Sequence, residues 1–466
     1  MASSFRDPLN TAHKHALAHL ETLDTAPVAT TIDLQTLRTR LGKPLTDNGI
    51  PPDQVINELV RDVKGGIIGS AGGRFFGWVI GGSLPSALAA DWLTSTWDQN
   101  SGHHGCGLAA AVVEEIAGEW VKEVLHLPRH CSFALVTGCQ MAHVTCLAAA
   151  RQALLEKRGW DVGKQGLYGA PPIRIISSEL RHETFERAAR LLGLGLTQIA
   201  YLPTDSRGCL PAGALQHALE ENASAPTIVL LQAGDVNTGA YDSFESLIPI
   251  AKKHNAWIHV DGAFGLWAAA SPKYQHLVKG VEAAHSWATD GHKWLNVPFD
   301  CGYAFVVHPQ AHRDSMTAHA SYLSPGDARN QLDWTPEWSR RARAFPTYAA
   351  LRQLGKNGVA DLVERCSQHA HTLVMEIGKL PGAEVVAEPI INQGLLRFLD
   401  RKPGATDVDH DRRTDEVIQK IVATGEAFFG GTSWRGKRAM RVSVSNWQTS
   451  DEHVSRVIAA VQKILT

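Results

Sequence analysis

Most of the features that assign a chain to a class at a glance are missing from this sequence. Its seven cysteines (Cys106, Cys131, Cys139, Cys146, Cys209, Cys301 and Cys366) are odd in number and widely spaced, with no Cys-x-x-Cys pair. That argues against a disulfide framework and for a reducing compartment. Neither charge is in excess: the formal net charge is −2, with both signs scattered along the chain. A basic footprint for nucleic acid or an anionic membrane is therefore absent. No window of about 18 apolar residues is free of charge, so no membrane span is expected. The polar start, Met1-Ala2-Ser3-Ser4, lacks the positive stretch and apolar run of a secretion signal, and a cytoplasmic location is the expectation. There are no internal repeats and no low-complexity tracts. Gly193-Leu194-Gly195-Leu196 is not completed into a dinucleotide fingerprint. Gly102-His103-His104-Gly105-Cys106 has metal-type residues but no second cluster at ligand spacing, so no metal is expected.

What is present is the balance of a compact protein, 44% hydrophobic and 20% charged over 466 residues, long enough for two or three domains. Residues 9–23 and 53–64 have helical spacing and are separated by Pro51-Pro52. Such a segment cannot bury both faces within itself and is expected to pack on another body, a partner subunit among the candidates. A glycine-rich stretch follows, over residues 65–82. Short apolar runs at 133–136, 173–177, 197–201, 227–232, 256–260 and 304–307 then alternate with helical patterns at 109–127, 141–157, 182–192 and 244–254. This alternation predicts a mostly parallel sheet covered on both faces. Beyond residue 347 a long helical pattern, three strand-like runs and two further helices predict a small α+β unit. The expected division is 1–77, 78–347 and 348–466.

Two segments carry chemistry. Asp290-Gly291-His292-Lys293-Trp294 places a lysine among aromatic and apolar neighbours, where a merely solvated lysine is improbable. Trp257-Ile258-His259-Val260-Asp261-Gly262-Ala263 is an apolar strand ending in a carboxylate. A lysine in such a setting can form a Schiff base with an aldehyde cofactor. A carboxylate at a strand end can hold that cofactor's ring nitrogen protonated, so the ring accepts electrons. Together they point to pyridoxal 5'-phosphate, although Asp261 alone reads equally well as a turn residue. His182, after the 173–177 strand, is placed to lie on the ring, against a background of 22 histidines that are mostly structural. Thr137-Gly138-Cys139-Gln140 joins a strand to a helix and offers backbone N–H groups to a phosphate, with His292 within reach of it.

On these motifs the chain resembles the group II pyridoxal-dependent decarboxylases, the family of aromatic-amino-acid and glutamate decarboxylases. The resemblance runs from about Phe75 to Asn446, and Gly82-Ser83-Leu84-Pro85 with Trp97-Asp98-Gln99-Asn100 is similar to a bacterial branch. It implies an α/β fold of the aspartate-aminotransferase type (PLP-dependent transferase type I). That fold has a central, mostly parallel seven-stranded sheet, a small C-terminal α+β domain and an N-terminal helical segment. It also implies a homodimer with interface active sites. By resemblance, Lys293 is the Schiff-base lysine, Asp261 the pyridine partner and His182 the stacking histidine. Ala263 touches the opposite ring face, Gly138, Cys139, Gln140, Asp290 and His292 surround the phosphate end, and Asn237 or Thr238 lies near the phenolic oxygen. Phe76, Trp78 and residues 100–106 line the side-chain pocket.

The chain also departs from the family pattern. The usual Gly-Gly-Thr/Ser-Glu-Ala-Asn loop is Gly138-Cys139-Gln140-Met141-Ala142-His143, and the asparagine before Pro-His-Lys is Asp290. The Asp-Tyr pair whose tyrosine protonates Cα is Asp333-Trp334, and an indole N–H is no useful acid. Tyr322 and His104 are the candidate replacements. The expected activity is decarboxylation of an L-amino acid, aromatic or bulky, to the amine through a quinonoid. The alternatives are decarboxylation with oxidative deamination to an aldehyde, another carbon–carbon lyase or aminotransferase reaction, or cofactor binding without turnover.

Overall fold

A computed structural model describes residues 5–317 and 329–466. The chain divides into two compact units. The first gathers the N-terminal residues through Ile80 with Thr372–Val386 and Leu395–Thr466; the second is Gly81–His371 with Ala387–Gly394.

The second unit is built on seven strands: β1 (Ser132–Val136), β2 (Arg174–Ser178), β3 (Ile199–Leu202), β4 (Thr227–Gln232), β5 (Trp257–Asp261), β6 (Ser286–Asp290) and β7 (Gly302–Val306). Their order is β1-β7-β6-β5-β4-β2-β3, parallel throughout except that β7 runs against both its neighbours. β1, β4, β5 and β7 are buried along their whole length, which is why they read as short apolar runs rather than alternating ones, and β6 is buried likewise. β6 is missing from the sequence reading because Ser286 and Thr289 disguise it. Ser286 is fully buried, its hydroxyl meeting Trp257 Nε1 and His259 Nδ1, each at 2.9 Å.

Register places the strand ends that matter along one edge. Val136 pairs with Gly302, Gly302 with Asp290, Ala288 with Asp261 and Asp261 with Gln232. Gly302 is required there for a steric reason. A Cβ on it would lie 2.5 Å from the Gly138 Cα and 3.0 Å from the Cys139 nitrogen, so any side chain would push the β1–helix joint off the sheet.

In the first unit, helices Arg6–Thr22 and Leu34–Leu41 bury no residue, and Leu9, Leu17, Leu20, Leu34 and Leu41 are exposed. Helix Pro52–Val63 buries only Asp62. The Arg74 guanidinium, itself buried, ties this segment down by donating to the carbonyls of Ala26 (2.7 Å) and Glu426 (2.8 Å). Strands β8 (Ala383–Ala387), β9 (Gln393–Phe398), β10 (Gly430–Trp434) and β11 (Lys437–Ser443) form a sheet of order β10-β11-β9-β8. The Leu34–Leu41 helix and β10 were not legible as elements, the first being short and the second Gly-Gly-Thr-Ser. Among the described residues no helix is long and apolar enough to cross a membrane.

One interior ion pair holds the second unit where β1 meets the chain returning after residue 329. Arg340 and Glu114, both with fully buried side chains, are 2.7 Å apart. Arg340 also donates to the carbonyls of Ser101 (3.2 Å) and Leu135. Removing one partner strands the other charge in low dielectric, so Glu114→Gln is expected to cost about 3–5 kcal/mol. A clear fall in the urea midpoint of the purified protein would show it; an unchanged midpoint would mean the pair carries no net stability.

Candidate active site

Lys293 lies in the turn after β6, and its Nζ is 3.1 Å from Asp290 Oδ2. Burial by itself would depress the lysine's pKa. The Asp290 charge and hydrogen bond, with Asp261 behind it, outweigh burial and hold the amine above its ordinary range. The approach to this turn is tight: a Cβ on Gly81 would lie 1.7 Å from the Lys293 carbonyl oxygen, so only glycine fits. Asp290 is buried and also serves the helix joint, its Oδ1 accepting the Cys139 N–H at 2.6 Å. One carboxylate thus links the lysine to the first turn of the Cys139–Glu156 helix.

Asp261 ends β5, with β6 and β7 between it and the strand that leads into that joint. Its Oδ1 accepts the Ala263 N–H at 3.1 Å, and its Oδ2 lies 3.5 Å from His143 Nε2. Burial would raise the Asp261 pKa. The charge and N–H of His143, then the charges of His182 and Lys293, overcome it and keep the carboxyl well below its usual range. It is a buried carboxylate that stays ionised, as a partner for a protonated ring nitrogen must.

The helix begins at Cys139, two residues earlier than the spacing predicts, so Cys139 and Gln140 occupy its first turn. Both side-chain polar atoms of Gln140 are buried without a hydrogen-bond partner. An unsatisfied amide at a helix N-terminus is costly unless a ligand meets it, and an anion such as a phosphate fits that position. The Cys139 thiol turns away from it, to 3.5 Å from His143 Nε2 and 3.9 Å from Asp261 Oδ1, and burial pushes its pKa well up. Cys139, His143 and Asp261 place ligand atoms within 4.8 Å of one another. Within the trio the thiol is in hydrogen-bond range of both the imidazole and the carboxylate. His292 accepts the Cys301 N–H on Nδ1 (3.3 Å), leaving Nε2 on the Asp290 side at 3.7 Å; its ring packs on Phe299.

His182 is the N-cap of the Glu183–Leu191 helix, its Nδ1 2.8 Å from Thr184 Oγ1. It is accessible to solvent yet walled on most sides by protein. That burial lowers its pKa, with Asp261 opposing and Lys293 and His143 adding to the effect. Asn237 and Thr238 sit in a turn after β4, where both backbone N–H groups and the Thr238 hydroxyl donate to Asp235 Oδ1. The structure therefore gathers Lys293, Asp261, Ala263, Asp290, His292, Gly138, Cys139 and Gln140 on the carboxyl edge of the sheet, and His182, Asn237 and Thr238 follow strands of the same edge.

The other candidates have different surroundings. His104 stacks on His103 and its Nδ1 is 2.7 Å from Asn330 Oδ1. Tyr322 lies outside the described residues. Trp334 packs against His312 and the Arg329 guanidinium. Phe76 is fully buried against Phe429 and so cannot line a pocket, whereas Trp78 is 56% exposed. Residues that sequence reasoning passed over are Gly302, His259 and His143. The available signal was the replacement of the expected loop asparagine by a histidine facing a His-Val-Asp strand.

Comparison with known proteins agrees with this geometry. A sequence model of the pyridoxal-dependent decarboxylase conserved domain matches residues 36–398. The chain is 25% identical over 454 residues to an aromatic-L-amino-acid decarboxylase of Bacillus atrophaeus, covering 96% of this chain and 92% of the relative. It is 24% identical over 470 residues to a 4-hydroxyphenylacetaldehyde synthase of Rhodiola rosea, covering 96% and 91%. Among solved structures, Oryza sativa TDC with PLP and tryptamine superposes with a TM-score of 0.92 at 22% identity, covering 100% of this chain and 99% of that one.

The Asp290–Lys293 pair gives a signed pH prediction. Cofactor capture needs the neutral amine, and Asp290 holds the amine above its ordinary pKa. Asp290→Asn is expected to move the pH midpoint of pyridoxal phosphate capture by the apoenzyme to lower pH. Below the midpoint the rate should rise about tenfold for each unit moved. Stopped-flow visible absorbance measures this; a midpoint that stays or rises would show that another charge controls the lysine.

Proposed function

The chain belongs to the pyridoxal-dependent decarboxylase family, and we propose that within it this enzyme removes the α-carboxylate of an aromatic L-amino acid to give the amine and carbon dioxide. Its general activity, amino-acid decarboxylation, and its cofactor, pyridoxal phosphate, follow from the family. The substrate, the residue roles, the proton donor and the subunit arrangement are the proposed part. The observation that carries the residue roles is the pairing of an ionised, buried Asp261 with Lys293 on one sheet edge.

When bound, the cofactor supplies an aldehyde for an amine and a cationic ring that takes up the electron pair of the breaking Cα–carboxylate bond. Lys293 supplies the amine that holds the cofactor between turnovers. Asp261 keeps its negative charge against the ring nitrogen. Gln140 and the first turn of its helix receive the phosphate, and His292 borders it. His182 would cover one face of the bound ring and Ala263 the other, with Asn237 or Thr238 near the phenolic oxygen. Loss of the carboxylate leaves Cα needing a proton, for which Tyr322 and His104 are the candidates. An aromatic substrate is supported by the relatives, which include the Bacillus atrophaeus enzyme and a tryptophan decarboxylase of Oryza sativa.

A second reading is favoured by Trp334 and by the similarity to the Rhodiola rosea aldehyde synthase. In it one dioxygen and one water are consumed, and aldehyde, carbon dioxide, ammonia and hydrogen peroxide are released. The exposed leucines of the N-terminal helices support a homodimer in which those helices cover a second copy. The seven free cysteines support a reducing, cytoplasmic setting.

Incubating the holoenzyme with each aromatic amino acid, while following carbon dioxide, amine, oxygen and peroxide, tests both readings. Amine equal to carbon dioxide without oxygen uptake supports the first; peroxide equal to carbon dioxide supports the second. Lys293→Ala should abolish turnover and the visible band of the bound cofactor, and retention of both would overturn the assignment. The combined change Leu9→Glu, Leu17→Glu and Leu20→Glu should shift the sedimenting species from dimer to monomer. A parent protein that sediments as a monomer would remove the dimer.

A further inference from the structure

We propose that His143 is a positioning residue for this reaction, holding the Asp261 carboxylate in one orientation through a buried chain that runs on to His259, Ser286 and Trp257. The proposal rests on the reading of Asp261 as partner of the ring nitrogen.

The chain is continuous. His143 Nε2 is 3.5 Å from Asp261 Oδ2, and His143 Nδ1 is 2.8 Å from His259 Nε2. His259 Nδ1 is 2.9 Å from Ser286 Oγ, which accepts the Trp257 indole N–H at 2.9 Å. His143, His259 and Ser286 are fully buried. A lone pair on Nε2 facing a carboxylate would be repelled, so the hydrogen sits on Nε2 and Nδ1 is the nitrogen shared with His259. Burial, with His143 adding, lowers the His259 pKa to about 3, which keeps that ring neutral and able to share one hydrogen along the chain. Phe185 packs edge-on to His143 and stacks on His259, closing the site to solvent.

The consequence falls on Asp261. Its Oδ1 accepts the Ala263 N–H and its Oδ2 lies 3.5 Å from His143 Nε2, so each oxygen has a polar neighbour and one orientation of the carboxylate is favoured. The other groups facing His143 are the Cys139 thiol on its own helix and, across the site, the His182 ring, while the Lys293 amine acts on Asp261 itself. None of these reaches Oδ2 in its place: the thiol stands on the Oδ1 side at 3.9 Å. The group that keeps the carboxylate ionised and oriented is therefore a residue that the family pattern leaves to an asparagine.

The test compares three variants, because glutamine and asparagine mimic different halves of an imidazole. His143→Gln keeps a donor near the Nε2 position, His143→Asn keeps one only near Nδ1, and His143→Leu keeps neither. For each, the apoenzyme is titrated with pyridoxal phosphate by tryptophan fluorescence, and kcat and KM are measured on the holoenzyme. Expected for His143→Leu and His143→Asn is a kcat about tenfold to a hundredfold lower, the range one charge-assisted hydrogen bond commands. KM should change less than about threefold and cofactor affinity should weaken about tenfold. His143→Gln should restore both to within about fivefold. Should His143→Leu fail to fold, His143→Asn carries the comparison. Equal values for the Gln, Asn and parent proteins would overturn the proposal, as would equal losses in Gln and Asn, which would mark the residue as packing only. Asp261→Asn separates the two levels: if it keeps cofactor affinity and kcat, the underlying reading fails; if it loses them while the His143 variants do not, only this inference fails.

Discussion

A carboxylate kept ionised inside a protein is the constraint on which this site turns. Taking Asp261 out of water raises the cost of its charge, and an isolated buried carboxylate would take up a proton instead. Here it does not, because a backbone N–H, the His143 imidazole and more distant positive groups together outweigh burial. Everything else at the sheet edge is arranged around that charge. β5 must end where the β4 and β6 registers put it, and the helix beginning at Cys139 must present His143 one turn in, facing the strand.

The second acid of the site solves a different problem. Asp290 sits at the end of β6 between a lysine and the first N–H of a helix, and it binds both. Its position depends on β7 running against its neighbours, because that brings Gly302 between Val136 and Asp290. A strand of normal composition could not pass there, since the space a Cβ needs is taken by Gly138. The close approach of β7 to the helix joint fixes the first turn of the helix, where the Cys139 N–H is taken by Asp290 and the Gln140 amide is left unsatisfied.

How much of this was legible differed from residue to residue for physical reasons. Lys293 and Asp261 stand in contiguous motifs whose neighbours betray burial, so a short window of sequence was enough. β1, β4, β5, β7 and β9 announced themselves as apolar runs because both their faces are covered. β6 did not, since its buried serine and threonine satisfy their hydroxyls within the fold and look polar in sequence. His143 and His259 are 116 positions apart, and nothing in either local window says that they touch. Gly302 is one glycine among 41 until the register shows what stands opposite it. Local chemistry was readable; long-range contact was not. Phe76 shows the converse error, a pocket residue by resemblance that is locked in a core against Phe429.

The sheet edge and the segment after residue 329 answer separate questions. In the proposed reading the edge would hold the cofactor and keep its ring cationic, and it would do so for any reaction that withdraws electrons from Cα. What becomes of Cα afterwards depends on which reaches it first, a proton donor or oxygen. Trp334 is no proton donor: it offers only an indole N–H, packed against Arg329 and His312. Arg340, locked onto Glu114 and the β1 carbonyl of Leu135, anchors this stretch of chain. The acid, if there is one, belongs to a residue that packing leaves free to approach the substrate. Two proteins could therefore share every contact made by Asp261, Lys293 and His143 and still release different products, an amine from one and an aldehyde from the other.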